Sequence, residues 1–356
     1  MTKGRQVYSK IASLGDEAIF FDEVSMYWLT GFYSTDGVVI VDKDATKLCV
    51  DSRYIEAANM AKKNGSAYDD VEVILLDEGI YAAMQKNIKG KKVVFDSGFV
   101  TVARLDSLKN KFAEFEFVAV NDICGEFRMI KSPDEIEKIK TAQSITDAAF
   151  THILGFIKAG VTEREIAAEL EYFVKRNGGD NMAFDTIAVS GSNSSLPHGV
   201  PSDREIVRNS FITMDFGAKY HGYCSDMTRT VVFGKADDEM KFVYDTVLKA
   251  QLMSIGGVKA GMKGSDCHAI AANVISGAGY GKNFGHGLGH SLGIEIHESP
   301  RFSPKYDAPI PVDSVMTVEP GIYLEGKYGV RIEDMVLMTS EGCIGLTKSP
   351  KELIEL

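Results

Sequence analysis

The chain has 356 residues, 45% hydrophobic and 25% charged, with a formal net charge of −11 and a pI near 5.2. That length exceeds one ordinary hydrophobic core and points to two domains. The acidic balance argues against nucleic-acid and anionic-membrane partners. No apolar run reaches the roughly 18 residues of a membrane span, and the polar N-terminus opens no secretory signal, so a cytoplasmic protein is expected. The five cysteines, Cys49, Cys124, Cys224, Cys267 and Cys343, are odd in number, widely spaced and without a Cys-x-x-Cys pair. This sets aside zinc-finger and disulfide frameworks and leaves reduced, mostly buried thiols.

Residues 1–127 alternate between strand-like and helix-like segments and are assigned as a small α/β domain. Gly37–Val41 and Lys47–Val50 flank Asp42-Lys43-Asp44 and predict a hairpin. A helix is expected from Asp51–Tyr54 to Lys63, a buried strand at Lys92–Phe95 and a helix over Val100–Phe112. No phosphate-binding glycine loop or catalytic cluster is evident there.

A boundary follows at Gly125–Lys131. Ser132-Pro133-Asp134-Glu135 is a helix start: Ser132 caps, Pro133 suits the first helical position and Glu135 completes a capping box. Ile136, Ile139, Ala142, Ile145, Ala149, Ile153 and Phe156 then recur at helical spacing as a core stripe. Thr162–Glu165 is a second capping box, opening a helix that runs to Asn177. Lys158-Ala159-Gly160-Val161, followed by Ile166-Ala167-Ala168, is echoed by Lys259-Ala260-Gly261-Met262, followed by Ile270-Ala271-Ala272. Set against chance similarity, the echo suggests a duplicated helix–helix–strand unit, with a cleft between its halves.

Four carboxylates stand in β-rich runs. Phe211–Ala218 and Gly222–Gly234 read as a hairpin whose turn, centred on Tyr220-His221, places Asp215 directly opposite Asp226. A solvent-facing pair is the alternative. Val315–Tyr323 and Gly329–Val336 flank a turn at Gly326-Lys327, with Glu319 and Glu333 nearly symmetric about it. The two hairpins are expected on one sheet. Cys224, two residues from Asp226, is read as packing.

Residues 283–301 hold His286, His290 and His297 interleaved with Gly285, Gly287, Gly289 and Gly293, which suggests a close backbone approach. A glycine-rich surface loop with incidental histidines is the alternative. One imidazole from this stretch completes a set of Asp, Asp, His, Glu and Glu. Four carboxylates buried together repel, and two divalent cations would balance them. Oxygen-rich ligation with one nitrogen suits Mn²⁺ or Co²⁺.

Several long motifs occur in order: Phe184-Asp185-Thr186 through Leu196-Pro197-His198-Gly199, Met214–Gly217, Asp226–Thr230, Gly285–Pro300, Val318–Tyr323 and Val330–Asp334. In these the chain resembles the metallopeptidase family of the pita-bread fold, which includes prolidase, aminopeptidase P and methionine aminopeptidase. The resemblance implies an α+β chain. Residues 128–356 would be the catalytic domain, duplicated halves around an antiparallel sheet. Residues 1–127 resemble, in kind only, the smaller domain that prolidases and aminopeptidases P carry.

The resemblance further implies that Asp215 binds one metal, that Asp226 and Glu333 bridge both, and that His290 and Glu319 complete the other. His297 would be a catalytic, non-ligand histidine, His198 its partner across the cleft, and His286 a residue near the substrate pocket. Creatinase-like relatives have lost the ligands, whereas all five are present here, which implies a metalloenzyme. Two divalent ions, Mn²⁺ ahead of Co²⁺ or Zn²⁺, would hold a bridging water and lower its pKa from about 15.7 toward neutrality. The hydroxide would attack the scissile carbonyl, with one metal and His297 or His198 stabilising the oxyanion and Glu319 moving the proton.

Arg301 is a candidate for a dipeptide's C-terminal carboxylate, against a plain surface arginine. Arg331 is a candidate support beside Glu333 or a substrate contact, and Tyr323 a pocket residue, against simple packing. The expected activity is a prolidase-type Xaa-Pro dipeptidase acting on Xaa-Pro dipeptides or short peptides. The alternatives are an aminopeptidase P and, from another class, a non-catalytic peptide-binding protein on the same fold. A homodimer through the N-terminal domain is expected by analogy.

Overall fold

In the computed structural model, which describes residues 1–356, Met1–Phe127 and Arg128–Leu356 form two units, each with its own core. The first is built on a six-stranded mixed sheet. Its strands are β1 (Glu17–Phe20), β2 (Val38–Val41), β3 (Thr46–Val50), β4 (Val71–Leu75), β5 (Lys92–Asp96) and β6 (Glu116–Val120), in the order β4-β3-β2-β1-β5-β6. The anticipated hairpin is β2–β3. Its turn is closed by Asp42, whose Oδ1 accepts from the N–H groups of Asp44 and Ala45, both at 2.8 Å. Strands β1 and β2 are buried on both faces, which is why they read as unbroken apolar runs rather than alternating ones. The accompanying helices are α1 (Lys3–Ile11), α2 (Glu23–Thr30), α3 (Ile55–Lys63), α4 (Ile80–Asn87) and α5 (Val102–Lys111). A single helical turn, α6 (Gly125–Arg128), stands at the boundary.

The second unit begins with α7 (Pro133–Phe156) and α8 (Glu163–Arg176). Both open with complete capping boxes, Ser132 with Glu135 and Thr162 with Glu165. A second pair follows, α9 (Asp238–Gly257) and α10 (Gly264–Gly277). Here α8 and α10 are each 14 residues long, and the preceding turns match: Gly160 and Gly261 are left-handed at φ +86° and +87°. Only glycine adopts that conformation freely, so the Lys-Ala-Gly echo marks a real structural repeat.

Each helix pair covers a set of antiparallel strands. In the first half, β7 (Asn181–Met182) pairs with β10 (Ala218–Tyr220), which pairs with β11 (Tyr223–Cys224). Beside them lie β8 (Ile187–Ser190), β9 (Ser210–Phe216) and β12 (Met227–Phe233), in the order β12-β9-β8. Ile212, Met214 and Phe216 pack against Ile145, Phe150 and Leu170 of α7 and α8. By the two-residue period of a strand, Thr213 and Asp215 then face away from those helices. In the second half, β13 (Gly289–Ser291), β14 (Glu298–Phe302), β15 (Val315–Val318), β18 (Asp334–Met338) and β19 (Cys343–Gly345) run in the order β14-β13-β15-β18-β19. A two-stranded ribbon, β16 (Gly321–Leu324) with β17 (Tyr328–Arg331), extends it. Met316, Val318 and Val336 share a core with Val243, Val247 and Ile275 of α9 and α10. This is the pita-bread arrangement, with helices outside and the polar strand faces turned inward. No helix is long and apolar enough to cross a membrane.

The hairpins that carry the carboxylates do not share one sheet, contrary to the sequence expectation. They meet along a seam. The Glu333 N–H donates to the Thr228 carbonyl at 3.1 Å, and the Arg331 N–H to Thr230 Oγ1 at 3.2 Å. A side-chain acceptor in place of a carbonyl at the second contact is what interrupts a continuous ladder.

Candidate active site

The first hairpin differs from its expected register. Its tight turn is His221-Gly222, both at positive φ (+43° and +76°), and the pairs Tyr220 with Tyr223 and Lys219 with Cys224 close it. Two consecutive left-handed residues are what a two-residue hairpin turn needs, and Gly222 supplies the second. The turn centre therefore lies one residue later than the sequence suggested. Asp215 pairs with Thr228, and Asp226 is its diagonal neighbour rather than its direct partner. A shift of two keeps the face, so both carboxylates still point the same way. The ladder pinches at Gly217, where a Cβ would lie 1.8 Å from the Ser225 carbonyl oxygen, and Asp226 sits just outside β12.

The second hairpin keeps its expected symmetry. Val318 pairs with Asp334 and Gly321 with Arg331, one register on both sides of a short break. Glu319 and Glu333 therefore oppose each other at that break, which Pro320, lacking an N–H, helps to open.

His290 comes from β13, between β14 and β15, in the glycine-rich stretch. Its N–H donates to Thr317 Oγ1 at 3.0 Å, and its Nδ1 donates to the Ser291 carbonyl at 3.1 Å. That leaves the Nε2 lone pair free. Nε2 lies 3.6 Å from Asp226 Oδ2 and 3.5 Å from Glu319 Oε1. Asp226, His290 and Glu333, all buried, each offer one ligand-type atom within 4.8 Å of the others. Glu319 adjoins them through His290, and Asp215 is linked to the group through Arg331.

The electrostatics are those of a charge deficit. Burial, then repulsion from neighbouring carboxylates, pushes Asp226 and Glu333 well above the usual carboxylate range. Burial pushes Glu319 up to about 8 and His290 down to about 3. Arg331 is the one lysine or arginine ion-paired to any of the four, at 2.6 Å from Asp215 Oδ2. Asp215 Oδ1 and Glu333 Oε1 are buried without any hydrogen-bond partner. Unpaired buried carboxylate oxygens are costly unless a cation takes them up. Orphan oxygens, a free imidazole lone pair and one arginine against four carboxylates together fit a pair of divalent cations.

Arg331 is buried, 4% exposed. Its guanidinium also donates to Thr228 Oγ1 (2.9 Å), Tyr323 Oη (2.7 Å) and the Pro197 carbonyl (3.3 Å). Tyr323 in turn donates to His286 Nε2 at 3.2 Å, while His286 Nδ1 donates to the Gly287 carbonyl at 2.8 Å. Burial lowers His286 to about 4. His297 is exposed, with its ring centroid 4.5 Å from that of His290. His198 is exposed on the loop after β8, close enough for its charge to bear on both His286 and His297. Arg301 stands across the ladder from His290 and, as its Cα partner, shares its face.

Three of the four glycines do meet close neighbours. A Cβ would lie 2.9 Å from the Phe302 carbonyl oxygen at Gly287, 2.0 Å from that of Thr317 at Gly289, and 2.8 Å from Glu298 Oε2 at Gly293. Gly285 meets nothing within 4 Å, and the expectation fails there. Cys224 is packing as expected: its buried thiol, pushed up to about 12, donates to the Ile294 carbonyl at 3.5 Å.

Two participants went unread in the sequence. Thr228 donates to Glu333 Oε2 at 2.6 Å while receiving from Arg331. Arg229, 1% exposed, pairs with Asp334 at 2.7 Å and donates to the carbonyl of Ser349 at 2.9 Å. Both lie in the motif that begins at Asp226, but a strand arginine carries no mark that tells an interior partner from a solvated one.

Residues 137–340 match the metallopeptidase family M24, and residues 13–130 match the Creatinase/Prolidase N-terminal domain. The chain is a member of metallopeptidase family M24. This M24 peptidase is 38% identical to an Xaa-Pro dipeptidase of Pyrococcus furiosus over 340 residues, 95% of each chain. Its fold matches the structure of an Xaa-Pro dipeptidase from Bacillus anthracis with a TM-score of 0.93, at 39% identity and covering 99% and 98% of the two chains. It also matches an X-Pro aminopeptidase from Thermotoga maritima, with a TM-score of 0.91 at 36% identity, covering 99% and 100%.

Proposed function

We propose that this chain is a dinuclear metallopeptidase that hydrolyses Xaa-Pro bonds, with Xaa-Pro dipeptides as its main substrates. The observation that carries the substrate reading is Arg301 opposite His290. A guanidinium on the ligand face of β14, directly across the ladder from His290, suits the free carboxylate of a short substrate. The Xaa-Pro dipeptidase relatives support the same reading.

Asp215, Asp226, His290, Glu319 and Glu333 would hold two divalent cations, with Mn²⁺ ahead of Co²⁺ or Zn²⁺ for an oxygen-rich set with one nitrogen. When bound, the cations supply Lewis-acid chemistry, making water a nucleophile near neutral pH and polarising the scissile carbonyl. The remaining work falls to side chains. Glu319 accepts the proton of the attacking water and returns it to the leaving nitrogen, a tertiary amide nitrogen that carries no hydrogen of its own in an Xaa-Pro bond. His297 and His198 donate hydrogen bonds to the carbonyl oxygen as charge develops, each worth roughly 3 kcal/mol. Arg301 holds the proline carboxylate. His286 and Tyr323 line the pocket, and Arg331 locks Tyr323 and Asp215 in place. The protein is read as cytoplasmic and as a candidate homodimer.

The likeness to an X-Pro aminopeptidase favours a second reading, removal of the N-terminal residue from longer Xaa-Pro peptides. One assay separates them. Full-length protein reconstituted with Mn²⁺ receives Ala-Pro and an Ala-Pro-Xaa tripeptide. Turnover of Ala-Pro, with KM raised about ten- to a hundredfold by Arg301→Ala, is the expected result. Cleavage of the tripeptide alone overturns the dipeptidase reading. Turnover of neither, with stoichiometric metal bound, points to a non-catalytic peptide binder.

A further inference from the structure

Glu163 is the first residue of α8 and is 0% exposed. Its carboxylate accepts six hydrogen bonds, all from neutral donors. Oε1 receives the Ser190 N–H (2.7 Å), the Ser190 hydroxyl (3.0 Å) and Asn193 Nδ2 (3.2 Å). Oε2 receives Asn193 Nδ2 (3.2 Å), the Ser202 N–H (3.1 Å) and the Ser202 hydroxyl (2.7 Å). A buried charge is tolerated only when its lone pairs are filled in this way.

Those donors bracket one loop. Ser190 ends β8, Asn193 lies in the following 3₁₀ turn (Gly191–Ser195), and Ser202 closes the far side. Between them lie Pro197 and His198. The tip has little apolar anchorage of its own, since Leu196 is 56% and Val200 80% exposed. Polar ties hold the loop against β17 instead: Ser194 Oγ accepts the Gly329 N–H at 3.0 Å, and the Pro197 carbonyl accepts from Arg331.

We propose that Glu163 is a positioning residue for His198, fixing both ends and the middle of the loop that carries it to the site. The proposal rests on the reading above, in which His198 acts on the substrate. Glutamine cannot take over the role. Whichever way its amide turns, the NH₂ group confronts a backbone N–H, that of Ser190 or that of Ser202, donor against donor.

The test is a double-mutant cycle on the Mn²⁺-loaded full chain with Ala-Pro. Glu163→Gln lowers kcat by roughly ten- to a hundredfold, as a displaced catalytic group would, with KM little changed and metal content intact. In a His198→Ala background the same substitution has no further effect. Equal losses in both backgrounds show a general structural role and overturn the proposal. Asn193→Ala, a milder cut in the same network, repeats the cycle if Glu163→Gln does not fold. A second readout is independent of turnover. In the Zn²⁺-loaded protein, labelled with ¹³C-histidine, Glu163→Gln shifts or broadens the His198 ring signal and leaves that of His152 in place. An unmoved His198 signal overturns the proposal. Absence of wild-type turnover instead counts against the peptidase reading alone, and the NMR result still decides the positioning claim.

Discussion

Arg331 and Asp215 form a buried ion pair, Nη2 to Oδ2 at 2.6 Å, inside the carboxylate cluster itself. The guanidinium reaches Thr228 and Tyr323 as well, so one side chain joins the first hairpin to the second across the seam. Removing one partner of a buried pair leaves the other charge uncompensated. Arg331→Ala is therefore expected to destabilise the metal-free protein by about 3–5 kcal/mol. The loss should shrink in the metal-loaded protein, where added cations offset the carboxylates. Urea unfolding with and without Mn²⁺ checks this, and equal losses in the two states contradict it.

The two histidines whose rings meet should separate in function. His290→Ala removes the free Nε2 beside Asp226 and Glu319, and bound metal should fall below the wild-type stoichiometry. His297→Ala, on an exposed ring, should keep its metal and lose turnover by roughly a hundredfold or more. Metal content by elemental analysis, set beside kcat, tests the division. Equal metal loss in both variants would show it to be wrong.

Metal removal should also change the pH dependence of stability, with a definite sign. Glu319 stands near 8 in the fold against an ordinary 4.5, so folding favours its protonated form. That contribution is present in full below about pH 4.5 and is lost as pH rises through about 8. Asp226 and Glu333 shift the same way. The metal-free protein should therefore lose several degrees of Tm between pH 6 and 8.5, and the Mn²⁺-loaded protein much less. Metal uptake at pH 6.5 should release protons, measurable in weak buffer. A metal-free Tm that rises across that range would refute the burial of these carboxylates.

The glycines of the histidine-rich stretch give a paired test. Gly289→Ala would drive a methyl group to 2.0 Å from the Thr317 carbonyl oxygen, between β13 and β15. A cost of about 1–3 kcal/mol is expected, with weaker metal binding because His290 is the next residue. Gly285→Ala meets open space at an ordinary φ and should change stability by less than about 0.5 kcal/mol. Thermal unfolding of the two variants decides it, and a Gly289→Ala protein as stable as wild type would contradict the close approach.

Much of this architecture is local chemistry that a linear reading can reach. Capping boxes at Ser132 and Thr162, the Lys-Ala-Gly turns before α8 and α10, and the symmetric spacing of Glu319 and Glu333 all depend on near neighbours in the chain. For that reason the helix starts, the duplication and the second hairpin were legible without coordinates. The motifs were specific enough to mark the family, and charge balance alone called for cations.

Other relationships were settled only by tertiary structure. The true turn at His221-Gly222 moved Asp226 from a direct to a diagonal position, because the two left-handed residues of a tight turn set the register of the whole ladder. The roles of Thr228 and Arg229, and the five donor groups that converge on Glu163, depend on contacts between segments far apart in sequence. No periodicity records such contacts. Residue types and spacing determined which groups the chain could bring to a site. Packing the two hairpins along one seam decided which of those groups lost water, lost partners and were left able to take up a cation.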